Sequence, residues 1–212
     1  MEQQFMKTAF FDFDGVVVDT EPIYDIYWNE AGERYQTGIP NFASHIKGTT
    51  LPYILDKYFS DRSEEFKEMV TRESMDFEQK MPFPPVPGAM EFIHLLKGKG
   101  VKVGLVTSSD NAKLERAFRL LKLDNLFDTV VSADRITKGK PDPMCYQLAA
   151  SDLHVSPADC LVFEDSFAGI QAGTNAGMRV IGLSTTNSEE SLKDKVYQVI
   201  PCLLYTSDAA DE

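Results

Sequence analysis

Residues 8–22 read TAFFDFDGVVVDTEP. Ala9, Phe10, Phe11 and Phe13 have the apolar bulk of a buried strand, predicted over residues 7–12. Asp12 and Asp14 interrupt it, and a carboxylate beside buried apolar surface is costly unless something pairs with it or uses it. A single strand cannot stand alone, so it must join a sheet supplied by the rest of the chain. What that sheet is made of, and what its strand ends carry, decides the fold.

Just downstream the pattern is helical. EPIYDIYWNEAGERY (21–35) opens with Pro22, tolerated near a helix start, and spaces Ile23, Ile26 and Tyr27 along one stripe. TTLPYILDKYFS (49–60) and SEEFKEMVTRESMDFEQKM (63–81) read as two further amphipathic helices, the second capped by Ser63. MPFPPVPG (81–88) has prolines at 82, 84, 85 and 87 and predicts an extended linker.

Beyond the linker, helices and strands alternate. A helix GAMEFIHLLKGKG (88–100) precedes the strand VKVGLVT (101–107), a helix over 111–122 and the strand TVVSA (129–133). A helix from near Pro143, the strand CLVFE (160–164), the helix SFAGIQAGTNAGM (166–178) and the strand RVIGL (179–183) complete the series. Such alternation implies a parallel sheet covered on both faces. The expected fold is α/β: a doubly wound, Rossmann-like core from residues 1–21 and 82–201, with a helical domain, 22–81, inserted after the first strand. PCLLYTSDAADE (201–212) fits neither pattern. Residues 202–212 read as a native tail or as translated linker sequence, and Cys202 is given no functional weight.

The chain has 212 residues, 43% hydrophobic and 25% charged, with 33 acidic and 21 basic residues and a formal net charge of −12. That balance argues against binding nucleic acid or an anionic membrane, which require a cationic surface. Three scattered cysteines suggest neither a disulfide framework nor a zinc site. No apolar run approaches membrane-spanning length, and the start lacks a signal-peptide pattern. A monomeric, cytoplasmic protein is expected.

In open parallel α/β sheets, ligands bind at the carboxyl ends of the strands. There the sequence places Asp12 and Asp14, Thr107 with Ser108 and Ser109, Lys140 in KGKPDP, and Glu164 with Asp165. Four carboxylates facing one lysine repel one another. A hard divalent cation resolves this, and an all-oxygen site suits Mg²⁺. Asp12 and Asp165 are the expected direct ligands, Asp14 adds its backbone carbonyl, and Glu164 orients a water. Thr107, with Ser108, and Lys140 are then placed to hold a phosphoryl group. In-line phosphoryl transfer needs a nucleophile, charge neutralisation and a proton for the leaving oxygen. Asp12 suits attack, giving an aspartyl-phosphate, and Asp14 suits acid/base work.

Taken alone, Asp12 and Asp14 could be an exposed turn, and Lys140 a surface lysine; the convergence of four segments carries the reading. Ser109 or Asp110 suits a helix cap, and Asp19 reads as scaffolding. Gly169, Gly173 and Gly177 read as close helix–sheet packing, and His94 as a structural residue on an apolar stripe.

DFDGVVVDTEP, LVTSS, KGKPDP and LVFEDSFAGIQA, in this order, resemble the four motifs of the haloacid dehalogenase-like hydrolase superfamily, and most closely its β-phosphoglucomutase-like phosphatases. The resemblance implies that Asp12 is the nucleophile and Asp14 the acid/base. It implies Thr107 and Lys140 as phosphate binders and Asp165 with Glu164 as the Mg²⁺ site. It also implies a cap that closes over the site and chooses the substrate, a small phosphorylated metabolite. Cap candidates are Tyr24, Trp28, Lys47, Thr49 and Arg72. β-Phosphoglucomutases carry histidine where Tyr24 stands and arginine where Leu51 aligns, which favours a sugar phosphatase and leaves the mutase as the alternative. A dehalogenase needs no equivalent of Asp14. A receiver-like signalling domain would keep its phospho-aspartate, which Asp14 and the helical insertion argue against.

Overall fold

A computed structural model describes residues 7–47 and 49–206. The stretch around Phe10 forms β1, Thr8–Phe11, buried throughout. Four helices follow: α1 (Glu21–Arg34), α2 (Phe42–Ile46), α3 (Leu51–Phe59) and α4 (Glu64–Glu78). The alternating part supplies α5 (Ala89–Gly98), β2 (Lys102–Val106), α6 (Asn111–Leu121), β3 (Thr129–Val131) and α7 (Met144–Asp152). It continues with β4 (Cys160–Glu164), α8 (Phe167–Asn175), β5 (Arg179–Leu183), α9 (Glu189–Leu192) and β6 (Gln198–Ile200). The chain divides into two compact units, one taking the residues through Asp19 and from Phe83 onward, the other Thr20–Pro82.

In the first unit the six strands pair in the order β3-β2-β1-β4-β5-β6, all parallel. β1 is central, with Phe11 in register with Leu105 on one side and Phe163 on the other. The chain winds outward from β1 in both directions, so the carboxyl ends of β1 and β4 flank the point where the winding reverses. An open α/β sheet has its binding crevice at such a point. Phe11 stacks on Phe163 at 4.7 Å and meets Phe92 of α5 edge-on at 6.2 Å. Phe10, Phe11 and Phe13 are fully buried, and each contributes about 1.5–3 kcal/mol through apolar area removed from water. These rings fix the strand whose polar end forms the site.

Several local features differ from the sequence expectation. The proline-rich stretch is no free linker. Val18 bridges Pro85, Asp19 N–H donates to Pro84 O at 2.7 Å, and Val86 N–H donates to Val17 O at 3.0 Å. Prolines fit there because a lone edge pairing needs few of their missing donors. β6 and α2 were not anticipated: three and five residues are too short to show a period. His94 is exposed rather than part of an apolar stripe. Leu203 is 1% exposed, in a short 3₁₀ turn (Leu203–Thr206) against α5. The turn lies so close that Gly88, at φ +80°, would place a Cβ 2.5 Å from Leu204 N. Apolar Leu203 has thus found core surface that its polar-tail context conceals; residues 207–212 lie outside the described residues.

The second unit buries its own apolar centre, the rings of Trp28, Tyr35, Phe42 and Phe59 together with Val70. Ser63 caps α4 as expected, accepting from Phe66 N–H at 3.3 Å. No described helix is long and apolar enough to cross a membrane. Cys145 and Cys160 are buried and free.

Candidate active site

Strand pairing carries one residue past β1, where Asp12 N–H donates to Phe163 O at 3.0 Å. Asp12 therefore emerges beside Glu164, the last residue of β4. Lys140, from the loop ahead of α7, joins them: its Nζ donates to Asp12 Oδ1 at 2.6 Å, Glu164 Oε1 at 2.5 Å and Val106 O at 3.2 Å. Burial alone would lower the Lys140 pKa, but the Asp12 and Glu164 carboxylates outweigh it and raise it. For Asp12 burial dominates. It pushes the carboxyl up to about 7, against the pull of Lys140 and with the added push of Glu164. An acid so perturbed is short of positive charge around it.

Glu164 is fully buried and saturated with donors. Its Oε1 also accepts from the Tyr146 hydroxyl at 2.9 Å. Its Oε2 accepts from Asp165 N–H (3.2 Å), Ser166 N–H (3.3 Å) and the Ser166 hydroxyl (3.1 Å). Ser166 Oγ in turn accepts from Gly169 N–H and caps α8. A Cβ on Gly169 would sit 1.8 Å from Glu164 Oε1, and one on Gly173 2.9 Å from Val180. Both glycines serve the close packing expected of them. Gly177, with open space around its Cβ position, instead takes φ +79° where α8 turns out.

Asp165 is held from the loop after β5, which the sequence reading missed. The Thr186 hydroxyl donates to Asp165 Oδ2, Asn187 Nδ2 donates to Asp165 O at 2.8 Å, and Thr185 Oγ1 donates to Gly15 O at 2.6 Å. Gly15 is required here, since φ is +81° and a Cβ would lie 2.0 Å from Asp165 Oδ2.

Asp14 faces a second lysine. Lys113 Nζ donates to Asp14 Oδ1 at 2.8 Å and Oδ2 at 2.7 Å, and the Ser109 hydroxyl donates to Oδ2 at 2.8 Å. Asp110, not Ser109, caps α6, accepting from Lys113 N–H. Thr107 is buried, with Oγ1 accepting from Ser109 N–H at 3.0 Å; Ser108, next to it, is half-buried. Lys113 left a faint sequence signal, a cation in the first turn of a helix, where the dipole disfavours it. Tyr146 left none, because a tyrosine in an apolar helix reads as core.

The cluster thus sets Asp12, Asp14, Glu164 and Asp165 against two ammonium groups. With all four ionised, two negative charges remain, the charge of one divalent cation. Oxygens of Asp12, Glu164 and Asp165 lie within 4.8 Å of one another. An all-oxygen, acidic donor set fits Mg²⁺, which prefers one or two carboxylates plus water and substrate oxygen. The five donors on Glu164 leave Asp12 and Asp165 as the better direct holders.

In the helical unit the candidates scatter. Tyr24 donates to Glu78 Oε1 at 2.7 Å and lies edge-on to Phe77. Lys47 pairs with Asp25 (2.9 Å) and Glu21 (3.3 Å), and Thr49 donates to Ile46 O at 2.6 Å. Arg72 is exposed in a groove of α3 and α4 with Leu55 and Met75. Trp28 is 6% exposed and edge-on to Phe42, a core residue of this unit rather than an open contact surface.

Residues 9–183 match the family profile of the haloacid dehalogenase-like hydrolases. The chain is 33% identical to a phosphorylated carbohydrates phosphatase of Thermotoga maritima, over 84% of this chain and 85% of that one. It is also 33% identical to the β-phosphoglucomutase of Bacillus subtilis, covering 84% and 83% of the two chains. A crystal structure of a family IA hydrolase from Entamoeba histolytica superposes with a TM-score of 0.82 at 25% identity, covering 93% of this chain and 94% of that chain. With its four motifs folded onto one edge of a 3-2-1-4-5-6 sheet, this chain belongs to the haloacid dehalogenase-like hydrolases.

Proposed function

We propose that the protein is a Mg²⁺-dependent phosphatase that hydrolyses a small phosphorylated metabolite, a sugar phosphate, through an aspartyl-phosphate. The observation that carries this reading is the buried Asp12–Lys140–Glu164 cluster beside Asp165 at the reversal point of the sheet. Asp12 and Asp165 would hold the cation, which when bound supplies charge neutralisation for the phosphoryl oxygens. Lys140, Thr107 and Ser108 bind and orient the phosphoryl group. An Asp12 carboxylate oxygen attacks phosphorus as the bond to the leaving oxygen breaks, and the Asp14 carboxyl gives that oxygen its proton. Water then attacks the same phosphorus and yields its proton to Asp14. Inorganic phosphate leaves and the Asp12 carboxylate is restored. Relatives named as a carbohydrate phosphatase and a β-phosphoglucomutase support a phosphorylated sugar as substrate.

Phosphate release from a panel of phosphorylated sugars, with Mg²⁺ and with EDTA, tests this. We expect release with at least one sugar phosphate, abolished by EDTA and in Asp12→Asn. Conversion of β-glucose 1-phosphate to glucose 6-phosphate faster than phosphate appears would make the protein a mutase instead. Undiminished release in Asp12→Asn would overturn the mechanism.

A further inference from the structure

Lys113 belongs to none of the four motifs, yet its ammonium contacts both oxygens of Asp14, at 2.8 and 2.7 Å. Its side chain is 4% exposed and that of Asp14 17%. The ammonium also lies 5.9 Å from the centre of the Phe13 ring, on the residue between Asp12 and Asp14. Phe13 is fully buried, so the lysine rests on a fixed wall. Its backbone is equally fixed, since Lys113 N–H donates to Asp110 Oδ1 at 2.9 Å in the cap of α6. A cation in the first turn of a helix opposes the helix dipole, and a buried lysine is costly unless paired. The position is therefore explained by Asp14 and not by the helix. Ser109, on the loop that leads into α6, gives Asp14 Oδ2 a further donor at 2.8 Å.

We infer that Lys113, with Ser109, is the positioning residue for Asp14: it fixes the plane and reach of that carboxyl group, keeping Oδ2 on the two donors while Oδ1 exchanges its contact with the ammonium for the proton that it passes to the leaving group. The inference rests on the proposed acid role of Asp14. Two-point contact with an anchored ammonium removes the torsional freedom of a short side chain, and a group held in the reacting geometry transfers its proton faster than one that must first be oriented. The predicted consequence is selective. A group that holds the acid matters when the leaving oxygen needs a proton and little when it departs as a stable anion.

The test compares kcat/KM for phenyl phosphate, whose leaving group needs a proton, with that for p-nitrophenyl phosphate, whose leaving group needs none. The proteins are the parent, Lys113→Met, Lys113→Arg, Ser109→Ala and Asp14→Asn. General acid catalysis is worth about 10²–10⁴-fold, so Lys113→Met is expected to lose about tenfold more on phenyl phosphate than on p-nitrophenyl phosphate. Ser109→Ala, which leaves no buried charge unpaired, shifts the ratio the same way by less. Lys113→Arg, which keeps the cation, recovers part of it. Equal losses on both esters in Lys113→Met and in Ser109→Ala, with the ratio shifted in Asp14→Asn, would overturn the positioning role alone. An unshifted ratio in Asp14→Asn would remove the acid role of Asp14, and this inference with it.

Discussion

At the scale of single residues, the site is a negotiation between burial and charge. Asp12 is pushed up to about 7 by burial, against Lys140, whereas its unperturbed value is 3.8. The sign of the consequence follows. A carboxyl held more weakly acidic in the folded state costs no stability below 3.8, and its cost grows until pH reaches about 7. Metal-free Asp12→Asn should therefore melt higher than the parent at about pH 8, by on the order of 1 kcal/mol, with the gap closing toward about pH 5. Added Mg²⁺ should reverse the order, because a ligand stabilises only the form that binds it. Thermal melts at the two pH values, with and without Mg²⁺, decide this; a variant melting lower than metal-free parent throughout would contradict it. The residues at strand ends were legible in the sequence because their chemistry is out of place there. Tyr146 and Thr186 were not, and Lys113 was so only faintly, since each looks ordinary until the fold brings it to Glu164, Asp165 or Asp14.

At the scale of elements, the strand carries the polar end and the aromatic rings carry the strand. Phe11 sits between Phe163 and Phe92, so truncation opens a cavity in the middle of the sheet. Phe11→Ala is expected to cost about 3–5 kcal/mol and to lower Tm by roughly 10 °C. A calorimetric loss below about 1 kcal/mol would show that β1 is not the anchor described. Long periodic elements declared themselves in the sequence: β1, β2, β4, β5 and the helices around them lie where alternation put them. The five-residue α2 and three-residue β6 did not, because elements of that length owe their structure to neighbours. The proline stretch misled for a related reason. Its missing N–H groups suggest a free spacer, but the Pro84 carbonyl and the Val86 N–H are enough to tie it to residues 17–19.

At the scale of the whole molecule, an acidic chain of net charge −12 concentrates two buried lysines on its carboxylates. The sheet order makes this possible. Only with β4 beside β1 do the ends of segments far apart in sequence meet; the four motifs were readable as one site because alternating strands and helices imply a parallel sheet whose carboxyl ends share one edge, whereas the strand order itself was not in the sequence. The central claim, that Asp12 carries the phosphoryl group, is tested most directly by acid-quenching Asp14→Asn during reaction with p-nitrophenyl phosphate and Mg²⁺, then weighing the peptide of residues 8–34. The account predicts one added phosphoryl group, lost when Asp12→Asn is combined with Asp14→Asn. An unmodified peptide, together with phosphate release that survives Asp12→Asn, would contradict it.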